Sequence, residues 1–167
     1  MPVRIKNLPS YKQVSDLLSY HPATGTLKWN FPRTKKEVRK VGSYQHGRLR
    51  VGLFGQTYHA HRICWFLYYG VEPVFMIDHV NGDPSDNRIE NLREATVYNN
   101  QHNKGRQKNN VSGFKGVCWN SDSRKWQAGI KVQRKSIHLG LFNTPEQAHA
   151  AYAEAARKYF GEFARRA

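Results

Sequence analysis

The chain has 167 residues and a formal charge of +15, with 39% hydrophobic and 13% aromatic residues. That length buries one moderate core or two small ones, and that apolar content excludes a wholly disordered chain. No apolar run approaches the roughly 18 residues that span a bilayer, and the first seven residues carry no hydrophobic signal core, so a soluble cytoplasmic protein is expected.

The charge is uneven: residues 1–57 hold 11 basic and 2 acidic side chains, 58–103 hold 3 and 6, and 104–167 hold 13 and 4. Two basic arms around a mildly acidic centre suit a phosphate-rich partner, although basic composition alone also fits a ribosomal or membrane-surface protein. Cys64 and Cys118 form no Cys-x-x-Cys pair, which argues against a zinc ribbon and reads as two free, buried thiols.

In chain order, residues 10–20 place Val14, Leu17 and Leu18 on one helical face, with Ser10 as N-cap and His21-Pro22 ending the helix. Residues 23–29 read as a turn into a strand, and the strongly basic run at 32–41 as a solvated loop. Residues 48–54 alternate apolar Leu49, Val51 and Leu53 with outward Arg48 and Arg50, the period of a half-buried strand that a second strand joins. Residues 62–69, stopped by Gly70, are too apolar for a surface segment and predict a buried helix.

Residues 74–80 read as a short buried strand, 81–83 as a turn, 89–95 as a second strand, and a helix follows behind Thr96 as N-cap. Within this stretch stand Asp78-His79, Asn81-Gly82, Asp86-Asn87-Arg88, Glu90-Asn91-Leu92-Arg93, Thr96, Asn100 and Asn103. The order strand, strand, helix, with Asp-His closing the first strand, resembles the HNH endonucleases and their ββα-metal site, above all the phage and intron-encoded homing enzymes.

The resemblance implies roles that the chemistry supports. His79 would be the general base, since a neutral imidazole suits proton transfer near neutrality. Asn91, twelve residues after His79, would accept the ring N–H and fix the tautomer. Asp78 and Asn100 would give hard oxygen ligands to one Mg2+ or Mn2+, with His102 and Asn103 as alternatives to Asn100. The resemblance also puts His59 and His61 at the start of a structural helix, outside the active site.

Residues 104–112 lack apolar periodicity and read as a basic linker whose Lys104 and Arg106 track a DNA backbone. From 113 onward three strands precede a helix over 145–160, with Thr144 as N-cap, Pro145 in the first turn and Gly161 as the stop. The expected helix stripe is Ala148, Ala151, Tyr152, Ala155 and Tyr159, packed on inward Trp126, Ala128, Ile130, Val132, Ile137, Leu139 and Leu141. The motifs Phe114-Lys115-Gly116-Val117, Trp126-x-Ala128, His138-Leu139-Gly140-x-Phe142 and Ala151-Tyr152-x-x-Ala155-Ala156 resemble the APETALA-type DNA-binding domain. That resemblance implies a sheet laid in the major groove, with Lys115, Val117, Trp119, Lys125, Gln127, Lys131, Ser136 and His138 on the exposed face. Arg124 and Lys135 join the expected DNA contacts. Cys118, Ser136 and His138 depart from the plant pattern, so its recognition site does not transfer.

The expectation is an α+β protein. Residues 1–57 buttress a nuclease core at 58–103, the linker at 104–112 follows, and 113–167 form a three-stranded sheet on one helix that binds DNA. The chain should be a monomer that nicks one strand of double-stranded DNA; the alternative is a non-catalytic, sequence-specific DNA-binding regulator.

Overall fold

Ser10 opens the first helix with a capping box: its hydroxyl accepts from the Gln13 N–H at 3.4 Å, while the Gln13 carboxamide oxygen accepts from the Ser10 N–H at 3.0 Å. The computed structural model describes residues 6–31, 41–103 and 110–164, so the basic run at 32–40 and the linker residues Lys104 and Arg106 lie outside the described residues. The chain divides into two compact units, residues 1–96 and 97–167.

In the first unit, α1 (Tyr11–Leu17) runs directly into β1 (Leu18–His21), which pairs antiparallel with β2 (Thr26–Trp29). The helix expected over 10–20 therefore stops early. Leu18 is fully buried and sits opposite Trp29, so a tertiary partner claims residues that local periodicity assigns to the helix. Strands β3 (Ser43–Gln45), β4 (Arg48–Leu53) and β5 (Gln56–His59) form an antiparallel sheet in that order. Val51, Leu53 and Tyr58 face inward, which leaves Arg48, Arg50 and His59 on the outward face.

Helix α2 (Ala60–Tyr69) follows at once and ends at Gly70, whose φ of 74° is the left-handed stop a side chain would resist. Ile63, Cys64 and Phe66 pack with Val14, Leu18 and Val51 into the core on which the site rests. A short antiparallel pair comes next, β6 (Met76–His79) and β7 (Leu92–Ala95). Both are narrower than expected: Val74 is exposed, and Ile89–Asn91 form a 3-10 turn before β7.

The second unit begins with α3 (Val97–His102) and holds the antiparallel strands β8 (Val117–Asn120), β9 (Lys125–Val132) and β10 (Lys135–Phe142), with β9 central. Helix α4 (Pro145–Phe160) packs on the sheet, and the Thr144 hydroxyl accepts from the Gln147 N–H. Ala148, Tyr152, Ala155 and Ala156 are its buried residues. Tyr159 is exposed and does not belong to the stripe.

A β-bulge between His138 and Gly140 resets the register, placing Gly140 opposite Ala128. One extra residue inverts the alternation beyond it, so Leu141 turns outward and Phe142 inward, contrary to a strict two-residue period. On β8, Val117 is buried opposite Ala128, and Cys118 is the exposed residue opposite Gln127. The expectation of an exposed Val117 and a buried Cys118 is thus reversed; Cys64 is buried, as expected, and both thiols are free. Among the described residues no helix is long and apolar enough to cross a membrane.

Candidate active site

The pairing of β6 with β7 sets Asp78 opposite Arg93 and His79 opposite Leu92. Neighbours in a strand point to opposite faces, yet Ile77, Asp78 and His79 are all buried, so this strand is covered on both sides. The Asp78 carboxylate answers its burial with a cross-strand ion pair, Oδ2 accepting from Arg93 Nε at 3.1 Å and Nη2 at 2.9 Å.

Between the strands, residues 80–91 contain few apolar side chains and fold through hydrogen bonds. The Asn81 carboxamide oxygen accepts from the Asp83 N–H at 2.8 Å, and Asp83 Oδ1 accepts from the Ser85 N–H at 2.9 Å, two successive Asx turns. Asp86 accepts from Arg88 Nε at 2.9 Å and Nη2 at 2.8 Å, and from Asn81 Nδ2 at 2.9 Å. The Arg88 bonds lead the causes that hold its carboxyl down at about 2. Asn91 ties the two ends of the loop: its Oδ1 accepts from the Asn81 N–H at 2.9 Å, and its Nδ2 donates to the Asp86 carbonyl at 2.8 Å.

The His79 ring meets Asn87 instead, Nε2 lying 3.3 Å from Asn87 Oδ1. An amide oxygen only accepts, so this bond puts the proton on Nε2 and makes Nδ1 the basic nitrogen. The expectation that Asn91 orients the ring gives way to this arrangement, in which Asn91 braces the loop and Asn87 faces the imidazole. The N-terminal hairpin backs Asn87 in turn. The Tyr20 hydroxyl donates to the Asn87 carbonyl at 2.7 Å, the Ile89 N–H donates to the Pro22 carbonyl at 3.1 Å, and Gly25 lies so close that a Cβ there would stand 2.6 Å from Asn87 C and Arg88 N.

His61, set apart from the chemistry in the sequence reading, lies against His79. Its ring is edge-on to His79 with centroids 5.2 Å apart, and stacked on His59 at 5.1 Å. Burial lowers the pKa of His79, the Arg48 charge adding to the shift and the Asn87 bond opposing it; burial lowers His61 further still. The imidazole beside Asp78 is therefore neutral at pH 7 and able to take a proton. Asn87 was visible in the sequence as the middle of Asp86-Asn87-Arg88, but nothing local distinguishes it from Asn91.

Asp78, next to His79 in sequence, is a hard oxygen donor of the kind Mg2+ takes, and its Oδ2 is already held by Arg93. Among the described residues no group of three or more His, Cys, Asp or Glu gathers as a metal cluster. Asn100 stands in α3 of the second unit, where Asn103 is buried just after the helix; the His102 side chain lies outside the described residues. Of the expected DNA contacts, Trp119, Arg124, Lys125, Lys131, Lys135 and His138 are exposed, and Lys115 is half-buried. Trp119 packs edge-on to Trp126 at 5.1 Å, and its register opposite Trp126 puts it on the strand face that carries Val117.

Residues 58–102 match the model of the HNH endonuclease family. The strand pair and loop that hold His79 are thus an HNH endonuclease domain. The chain is 30% identical over 91 residues to Protein 3.8 of Escherichia phage T7, covering 54% of this chain and 74% of that protein, and belongs to the same family. It is also 56% identical over 32 residues to an ethylene-responsive transcription factor-like protein of Arabidopsis thaliana, a match covering 19% of this chain and 14% of that one. No solved structure matches.

Proposed function

We propose that the protein is a metal-dependent DNA endonuclease of the homing type that hydrolyses one phosphodiester with His79 as general base. The observation that carries this reading is the setting of His79: buried, and in contact with Asn87 through one nitrogen, within an HNH domain. Nδ1 takes the proton of the attacking water, Asn87 keeps Nε2 protonated, and the His61 edge limits rotation of the ring. Asp78, with Asn100 or its alternatives His102 and Asn103, would hold Mg2+ or Mn2+. That ion would supply positive charge where the phosphate oxygens become more negative.

In this reading residues 113–167 form an APETALA-type module that selects the site, with Lys104 and Arg106 tracking the backbone ahead of it. The whole chain's net charge of +15 and the lysines on this module's exposed strands support duplex binding. The protein acts as a monomer in the host-cell cytoplasm and cuts one strand, because a single His79 faces two scissile phosphates of opposite polarity. A second reading, a non-catalytic DNA-binding regulator, draws on the 32-residue likeness to a transcription factor-like protein. It leaves the buried neutral His79 without a task.

Supercoiled plasmid or phage DNA incubated with Mg2+, with Mn2+ and with chelator tests both readings. Nicked circles that appear only with metal, and vanish in His79→Ala while DNA affinity persists, are the expected result. DNA binding without cutting under either metal would establish the regulator instead.

A further inference from the structure

The arginines described in the first unit fall into two groups. Arg62 pairs with Glu72, Arg88 with Asp86 and Glu90, and Arg93 with Asp78. Arg48 and Arg50 pair with no carboxylate among the described residues, although a strand in a protein with acidic loops has partners to choose from. Both stand on the outward face of β4, Arg48 opposite Gln45 and Arg50 opposite His59.

That face leads to the active site. His59 stacks on His61, and His61 meets the ring of His79. At the same end of β4, the hairpin turn at His46-Gly47 reaches the active-site loop, where a Cβ on Gly47 would lie 3.6 Å from Pro84 Cγ. Arg48 is the next residue, and its charge acts on all three imidazoles while that of Arg50 acts on His59. Two unneutralised guanidiniums thus line one approach to the base. Such groups recognise phosphate by bidentate hydrogen bonds as well as by charge.

We propose that Arg48 and Arg50 form a phosphate-binding arm of the active site, along which the backbone of the cleaved strand runs over the outward face of β3–β4–β5 toward His79. The proposal rests on the DNA endonuclease reading and adds a binding site in the first unit, apart from the basic linker and the second unit.

The test is anisotropy of a labelled duplex in chelator, measured from 50 to 200 mM salt, on the full chain. Each neutralised phosphate steepens the log–log salt slope by about 0.9, so over this fourfold range the wild type should lose about 12-fold more affinity than Arg48→Gln/Arg50→Gln. Arg48→Lys/Arg50→Lys should keep the wild-type slope, since it keeps the charge, and the charge-matched control Lys12→Gln on α1 should keep it too. If the double Gln variant fails to fold, each single Gln variant reads the same effect at about 3.5-fold. A wild-type slope in the Gln variants, or an equal loss in Lys12→Gln, overturns the arm while the wild type still binds and cuts. A wild type that neither binds nor cuts DNA overturns the endonuclease reading itself.

Discussion

Replacing Asn87 by alanine separates the two asparagines that compete for the role of His79's partner. Asn87 is almost fully buried, and its side chain makes two long bonds, 3.3 Å to His79 Nε2 and 3.4 Å to the Ser85 carbonyl. Bonds of that length lie at the weak end of the usual net contribution, so Asn87→Ala should cost about 1–2 kcal/mol of folding stability. Its effect on turnover should be larger. A freed imidazole samples the wrong tautomer and orientation, and losing an orienting partner lowers kcat about 10–100-fold, or about 1.4–2.7 kcal/mol, with KM nearly unchanged. Asn91→Ala should behave the other way. Its bonds of 2.9 and 2.8 Å satisfy a backbone N–H and a carbonyl at the two ends of the loop, and leaving both unpaired costs about 2–5 kcal/mol. Urea unfolding, paired with plasmid cleavage at a temperature where both variants are folded, reads both effects. If Asn87→Ala cuts at the wild-type rate and Asn91→Ala loses tenfold or more with its stability intact, Asn91 is the ring's partner and the reasoning fails.

Three further outcomes follow from the same geometry. Gly25→Ala combines a φ of +71° with a Cβ 2.6 Å from the Asn87–Arg88 backbone, so it should cost about 2–5 kcal/mol in urea and lower kcat as well, because the displaced backbone carries Asn87; wild-type turnover in a folded variant would show that the hairpin does not brace the site. Arg93→Met removes the guanidinium from the buried Asp78 carboxylate and should destabilise by about 3–5 kcal/mol in chelator, with part of the loss recovered by Mg2+ if Asp78 is a ligand; a thermal melt with and without metal decides. His59, His61 and His79 all titrate below the ordinary imidazole value when folded, so as pH falls below about 6.5 the unfolded chain takes up protons first and stability declines toward the folded values. Asp86, at about 2, weakens the fold only below about pH 4, so a melting temperature that falls between pH 6.5 and 5, and falls less steeply in His61→Phe, is the expected signature.

What the sequence made legible was local. The Ser10 and Thr144 caps, the alternation over β4, the helix stop at Gly70 and the strand ending in Asp78-His79 all follow from chemistry within a few residues, and each forms as expected. The differences arise where a distant partner or an extra residue decides. Leu18 leaves the helix because Trp29 lies opposite, and Leu141 turns outward because of a bulge two residues earlier. Asn87 and Asn91 are the same residue type, four positions apart in one loop. Which carboxamide reaches the ring depends on the 3-10 turn at Ile89–Asn91 and on the hairpin behind Asn87, neither of which has a periodic signal.

The supports of His79 come from two ranges of sequence, and the difference has a consequence. Asn87 is eight residues away, within a loop whose own side chains bond one another, so that contact forms wherever the loop forms. His61 comes from the start of α2 and reaches the ring only when Ile63, Cys64 and Phe66 are packed in the core of the first unit. Tyr20, sixty-seven residues from Asn87, likewise requires the β1–β2 hairpin to be docked. An isolated peptide spanning 74–103 would therefore carry the whole Asp-His motif and its loop while lacking His61 against the His79 ring and Tyr20 on the Asn87 carbonyl. The β1–β2 hairpin thus bears on the imidazole through Asn87, whose carbonyl Tyr20 holds and whose carboxamide meets the ring.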